Sequence, residues 1–107
     1  MTEELIVSDQ AAYYQRAWYR ADIAEFAKAS LAEVLGRMAA VNPFVLQPTQ
    51  RDAWLVQTSV LQDQLRGLSG AIFLEYSIPR MGRRIDAVLL IGPVLFVVEF
   101  RSEGAHV

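Results

Sequence analysis

Cysteine is absent from this 107-residue chain, which removes disulfides and thiolate metal centres and fits a cytoplasmic protein. Histidine occurs once, at His106, so no imidazole cluster can form. Long apolar runs are lacking too: the longest are strand-sized, and Met1-Thr2-Glu3-Glu4 is acidic where a secretory signal would be basic, so neither a membrane span nor a signal peptide is expected. Positive charge is not in excess, since 10 Lys and Arg face 12 Asp and Glu for a net charge of −2. That balance argues against a general nucleic-acid coat protein, whose non-specific affinity comes from phosphate neutralisation. No Gly-x-x-x-x-Gly-Lys-Ser/Thr run occurs, so the chain holds no P-loop ATPase site. There is no internal repeat or low-complexity tract.

What is present is apolar: 53% of residues are hydrophobic, a high share for one small domain at the low end of sizes that bury a core. The first 41 residues read as an N-terminal helical segment. Asp9 can cap a first helix carrying the stripe Ile23, Phe26 and Ala27, and Ser30-Leu31-Ala32-Glu33 is a capping box. A second helix then runs to about Ala40 with Leu31, Val34, Leu35 and Met38 inward. After a connector with prolines at Pro43 and Pro48, Thr49 can cap a third helix through Arg66, with Trp54, Thr58, Leu61, Leu65 and Leu68 on its core face and Gly67 as its stop. Three strands follow, Ala71 to Ile78, Arg84 to Ile91 and Val94 to Phe100. The expected fold is therefore α+β, with N-terminal helices and then an α-β-β-β core over 49–107, all in one domain. Alternation of Ile85, Ala87, Leu89 and Ile91 with Val88 and Leu90 predicts a sheet covered on both sides.

The last two strands carry the main functional clue. With Gly92-Pro93 as a two-residue turn, Ile91 faces Val94, and counting outward places Asp86 opposite Glu99 on one face, with Cβ atoms roughly 4.5 to 5.5 Å apart. Like charges so close, on otherwise greasy strands, need a cation between them. Two partners are possible: a divalent metal ion, or the arginines Arg83, Arg84 and Arg101 nearby in sequence.

An acid early in one strand followed by Glu-x-Arg at the end of the next resembles the PD-(D/E)xK nuclease superfamily, with Asp86 as the motif Asp and Glu99-Phe100-Arg101 as (D/E)xK. The run from Phe73 to Leu90, FLEYSIPRMGRRIDAVLL, is more specific. It resembles the nuclease-like N-terminal region of bacterial Schlafen-like DNA/RNA helicase proteins, in which a P-loop ATPase domain follows; Gln50 and Trp54 on the preceding helix fit the same pattern. The resemblance implies an incomplete restriction-endonuclease-like core, with the later helix and strand missing beyond Ser102 to Val107. It also implies metal-dependent phosphodiester hydrolysis or nucleic-acid binding, with Asp86, Glu99 and Arg101 as catalytic residues. Arg101 stands at the position of the motif lysine, and arginine stabilises charge but does not give up its proton at neutral pH. A catalytically inactive interaction or regulatory module is the alternative.

Carboxylate oxygens without Cys or His suit Mg²⁺ or Mn²⁺. Asp86, Glu99 and Glu75 are the expected ligands, Glu75 alternatively pairing with Arg83 or Arg84, and Gln57 on the helix is either a neutral ligand or an ordinary exposed polar residue. Arg80, Arg83 and Arg84 form a basic cluster that either grips a DNA or RNA backbone or is an ordinary solvated charged loop. Tyr13, Tyr14, Trp18 and Tyr19 interleave with Arg16 and Arg20, a mixture that either stacks bases or packs a helix face. The outer edge of the third strand, apolar on both faces, invites a homodimer.

Overall fold

The computed structural model describes residues 16–42, 45–78 and 80–101; Asp9, Tyr13, Tyr14, Pro43 and His106 lie outside them. Strand β1 (Ala17–Asp22) leads directly into the short helix α1 (Ile23–Lys28). Helices α2 (Leu31–Val41) and α3 (Pro48–Gln64) follow, and then strands β2 (Ala71–Ile78), β3 (Arg83–Ile91) and β4 (Val94–Val98). The strands form one antiparallel sheet in the order β1-β2-β3-β4. The fold is α+β with three helices and four strands, one strand more than expected. No helix among the described residues is long and apolar enough to cross a membrane.

The extra strand corrects the helical reading of the N-terminal segment. In Ala17–Asp22 burial alternates with a period of two, Ala17, Tyr19 and Ala21 being buried and the residues between them less so, which suits a half-buried strand. Asp22 then breaks the strand, and the stripe Ile23 and Phe26 belongs to α1, where both are fully buried. The Ser30 hydroxyl accepts from Glu33 N–H at 3.0 Å, starting α2 as the capping box predicts. Helix α3 begins at Pro48, with Gln47 rather than Thr49 at the N-cap, because a proline at the first helical position brings a preset φ and gives up an N–H that would have had no partner. Gly67, at φ +86°, follows its end, and Leu68 is exposed rather than inward.

All three helices pack on one face of the sheet. Ile23, Phe26, Val34, Leu35, Met38, Trp54, Leu61 and Leu65 share a core with Tyr19, Ala21, Ile72, Leu74, Ala87 and Leu89. The other face carries a small cluster of Ala17, Phe73 and Val88, joined by Ala71, Tyr76 and Ile85. Coverage of both faces by helices is therefore not observed among the described residues; the N-terminal helix joins α2 and α3 because Ile23 N–H bonds to Gly70 C=O at 2.9 Å, tying α1 to the start of β2.

Candidate carboxylate site

Strand alternation holds along most of the sheet and fails along one row that crosses it. Ile72 and Leu74 pack on the helices and Phe73 on the opposite face, yet Tyr76 joins Phe73. Ala87 and Leu89 likewise pack on the helices, Val88 opposite, yet Ile85 joins Val88; in β1, Tyr19 and Ala21 face the helices and Ala17 does not. The phase therefore switches at Trp18, Glu75 and Asp86. These residues are neighbours in the register: Ala17↔Tyr76 and Tyr19↔Leu74 flank the first two, Leu74↔Ala87 and Tyr76↔Ile85 the second two. The β3–β4 ladder ends at Ala87↔Val98, one position short of Asp86 and Glu99, and the Glu99 charge is near enough to act on Glu75.

In β2 the backbone leaves strand geometry at Glu75, whose φ is +52°. A non-glycine residue in the left-handed region is uncommon, costs about 1–3 kcal/mol, and is held only where the surroundings over-determine it. Its effect is to send the Glu75 side chain to the helix side, so that it lines one small cavity with Asp86, Trp54, Gln57 and Thr58. Glu75 is 7% exposed, a rare burial for a carboxylate. Burial pushes its pKa above the ordinary 4.5, the Arg84 hydrogen bond opposes that rise, and the charges of Asp86 and Glu99 add to it.

Each acid has a partner. Arg84 Nε lies 3.3 Å from Glu75 Oε1, and its guanidinium stacks over the Trp18 ring at 4.2 Å from the centroid. Trp18 in turn meets Trp54 edge-on at 5.8 Å, so one chain of contacts runs from the basic residue to the floor of the cavity. Asp86 Oδ2 accepts the Phe100 N–H at 2.7 Å, tethering the chain just past β4 to β3. Glu99 Oε2 is 3.7 Å from Arg83 Nη2, both side chains being substantially exposed, a pair worth about 0–1 kcal/mol.

The residues expected from the sequence thus fall into three groups. Glu75, Asp86 and Gln57 come together at the cavity; Glu99, Arg83 and Arg84 surround it through ion pairs; Arg80 and Arg101 are exposed and make no ion pair among the described residues. Two of the three acids take the arginine partners left open above. Among the described residues no trio of Asp, Glu, His or Cys converges closely enough to hold a metal ion by itself. Trp18 and Trp54 are the residues at this site that the sequence did not flag in these roles. Trp54 was readable as a core position of α3, and only the fold brings the two rings together. Arg20, by contrast, lies over the Phe73 ring at 5.7 Å, and Arg37 over Tyr19 at 4.5 Å while donating to Arg20 C=O, so Tyr19 and Arg20 are engaged in packing.

Comparisons of the chain with protein families, with curated proteins and with solved structures return no match.

Proposed function

We propose that the row Trp18–Glu75–Asp86–Glu99 is a nuclease-type carboxylate site that takes a DNA or RNA backbone with a hard divalent cation, Mg²⁺ or Mn²⁺, as in the nuclease-like part of a DNA/RNA helicase-type protein. The observation that carries the reading is Glu75 and Asp86 lining one cavity, one carboxyl buried at the expense of a left-handed backbone. Strained residues concentrate where function needs them.

The donor set fits such an ion. Mg²⁺ is bound through one or two carboxylates with the rest of its shell left as water, and the bonds above engage only Oε1 of Glu75 and Oδ2 of Asp86. Glu75 and Asp86 would hold the ion, with Gln57 as an added oxygen donor and Glu99 reaching it only by leaving Arg83. A bound ion there would supply polarisation of the phosphodiester and neutralisation of charge developing on it. Arg83 and Arg84, exposed enough to be reached from solvent, would grip phosphate oxygens as bidentate donors, with Arg80 in the adjoining turn extending the grip. Arg101 would add positive charge without accepting a proton.

A specific observation favours the second reading, a silent module that binds nucleic acid or protein without cleaving. The same arginines that would grip phosphate already neutralise Glu75 and Glu99. One experiment separates the two: Mn²⁺ titration, followed by incubation with single-stranded and duplex oligonucleotides. Cation binding with cleavage that Asp86→Asn abolishes supports the nuclease; cation binding and oligonucleotide binding without cleavage support the silent module. Binding of neither sinks the nuclease and the nucleic-acid-binding form of the module together.

A further inference from the structure

Trp54 presents an unsolved problem in the packing. It is 2% exposed, and its indole Nε1 has no hydrogen-bond acceptor among the described residues. A buried donor left unpaired is destabilising, and native structures rarely tolerate one without water or an ion to satisfy it. The void that Trp54 lines has a volume of about 10 Å³, and its polar lining residues are Gln57, Thr58, Glu75 and Asp86. A buried water needs about 10–15 Å³ and two to four polar partners. Volume and chemistry therefore match one water.

We propose that this cavity binds a single resident water, which accepts the Trp54 indole N–H and donates to the Glu75 and Asp86 carboxylates. Such a water satisfies the orphan donor and places two O–H dipoles between like charges. Its second consequence rests on the nuclease reading: the water held at the carboxylates is the one used in hydrolysis, and Trp54 is its positioning residue. A donor is needed there because Arg101, at the place of the motif lysine, is exposed and does not line the cavity.

The test begins on the intact chain in EDTA, so that it does not depend on a bound cation. The Trp54 indole proton, assigned by comparison with Trp18→Phe, should show a cross-peak to water of the sign given by a long-lived bound molecule. Absence of that cross-peak overturns the proposal. Trp54→Phe removes the donor and should leave Mn²⁺ affinity within about twofold. The rate kcat should fall at least about tenfold with KM unchanged, the size expected when one hydrogen bond of 1.4 kcal/mol is lost. If Trp54→Phe does not fold, benzothienylalanine at the same position exchanges only the N–H for sulfur. A bound water with unchanged kcat in the variant overturns the positioning role. A bound water in a wild type that never cleaves refutes the nuclease reading and its positioning role together, and leaves the water site established.

Discussion

The two ends of the central strands obey different rules. From Ala71 to Leu74 and from Ala87 to Leu90 the side chains alternate, the inward ones are buried and apolar, and nothing charged intervenes. One residue further, at Glu75 and Asp86, alternation fails, the backbone turns left-handed at Glu75, and the two carboxylates share a cavity with Trp54, whose indole N–H has no acceptor among the described residues. The same strands thus hold a stabilising end and an end that is costly to fold. Such separation is expected where local rules are broken for a purpose.

The contrast is sharpest under truncation. Ile72 is fully buried between α1 and the sheet, so Ile72→Ala should lower stability by about 2–5 kcal/mol through lost burial and a residual cavity. Glu75→Gln, one register step beyond the regular part, should be far milder and of opposite sign at neutral pH. Urea midpoints for the two variants measure both. If Glu75→Gln is as damaging as Ile72→Ala, the carboxylate end is structural after all.

The pH dependence of that variant follows from the direction of the shift. Burial raises the Glu75 pKa above 4.5 in the folded protein, so the native state binds more protons than the unfolded one between 4.5 and the raised value. Stability contributed by this group is fully present below 4.5 and is lost as pH rises through the folded pKa. Glu75→Gln removes that slope. Its stability relative to wild type should therefore grow from about pH 4 to about pH 7; a difference that is constant across the range would show that Glu75 is solvated in the native state.

The smallest expected effect on stability concerns the outer strand. Val94, Leu95, Phe96 and Val97 of β4 are all 46% exposed or more, at the edge of the sheet. An apolar edge with open N–H and C=O groups favours pairing with a second copy, and a two-fold antiparallel dimer through β4 is our proposal for it. Leu95→Lys should change the unfolding free energy by less than about 0.5 kcal/mol yet shift the chain toward monomer. Light scattering at micromolar concentration would show this, and a wild type that is already monomeric would refute it.

Much of the regular part was legible because its signals are local. Ser30 and Glu33 mark a helix start, the spacing of Trp54, Thr58 and Leu61 marks a buried helix face, and Gly92-Pro93 between two apolar runs fixes the register that sets Ile91 against Val94. Strand β1 was not legible. Its six residues run straight into a helical stripe, and its partner β2 is distant in sequence, so only the alternation of Ala17, Tyr19 and Ala21 could have signalled it. Of the site, the register leading up to Asp86 and Glu99, as far as Ala87 against Val98, could be counted from the turn. The facing of Glu75 could not, because one left-handed residue that is not glycine reverses the phase of everything after it. The stack of Arg84 on Trp18 joins strands on either side of β2 and leaves no trace in local sequence.

Glu75 and Asp86 are proposed to form one cation site. Isothermal calorimetry with Mn²⁺ on the wild type, Asp86→Asn and Glu75→Gln tests it directly. Asparagine keeps the acceptor for Phe100 N–H while removing the charge. Saturable heat in the wild type that weakens at least about tenfold in each variant, one charge-assisted contact of 1.4 kcal/mol or more, is the predicted result. No heat in the wild type, or the same heat in all three proteins, would contradict it.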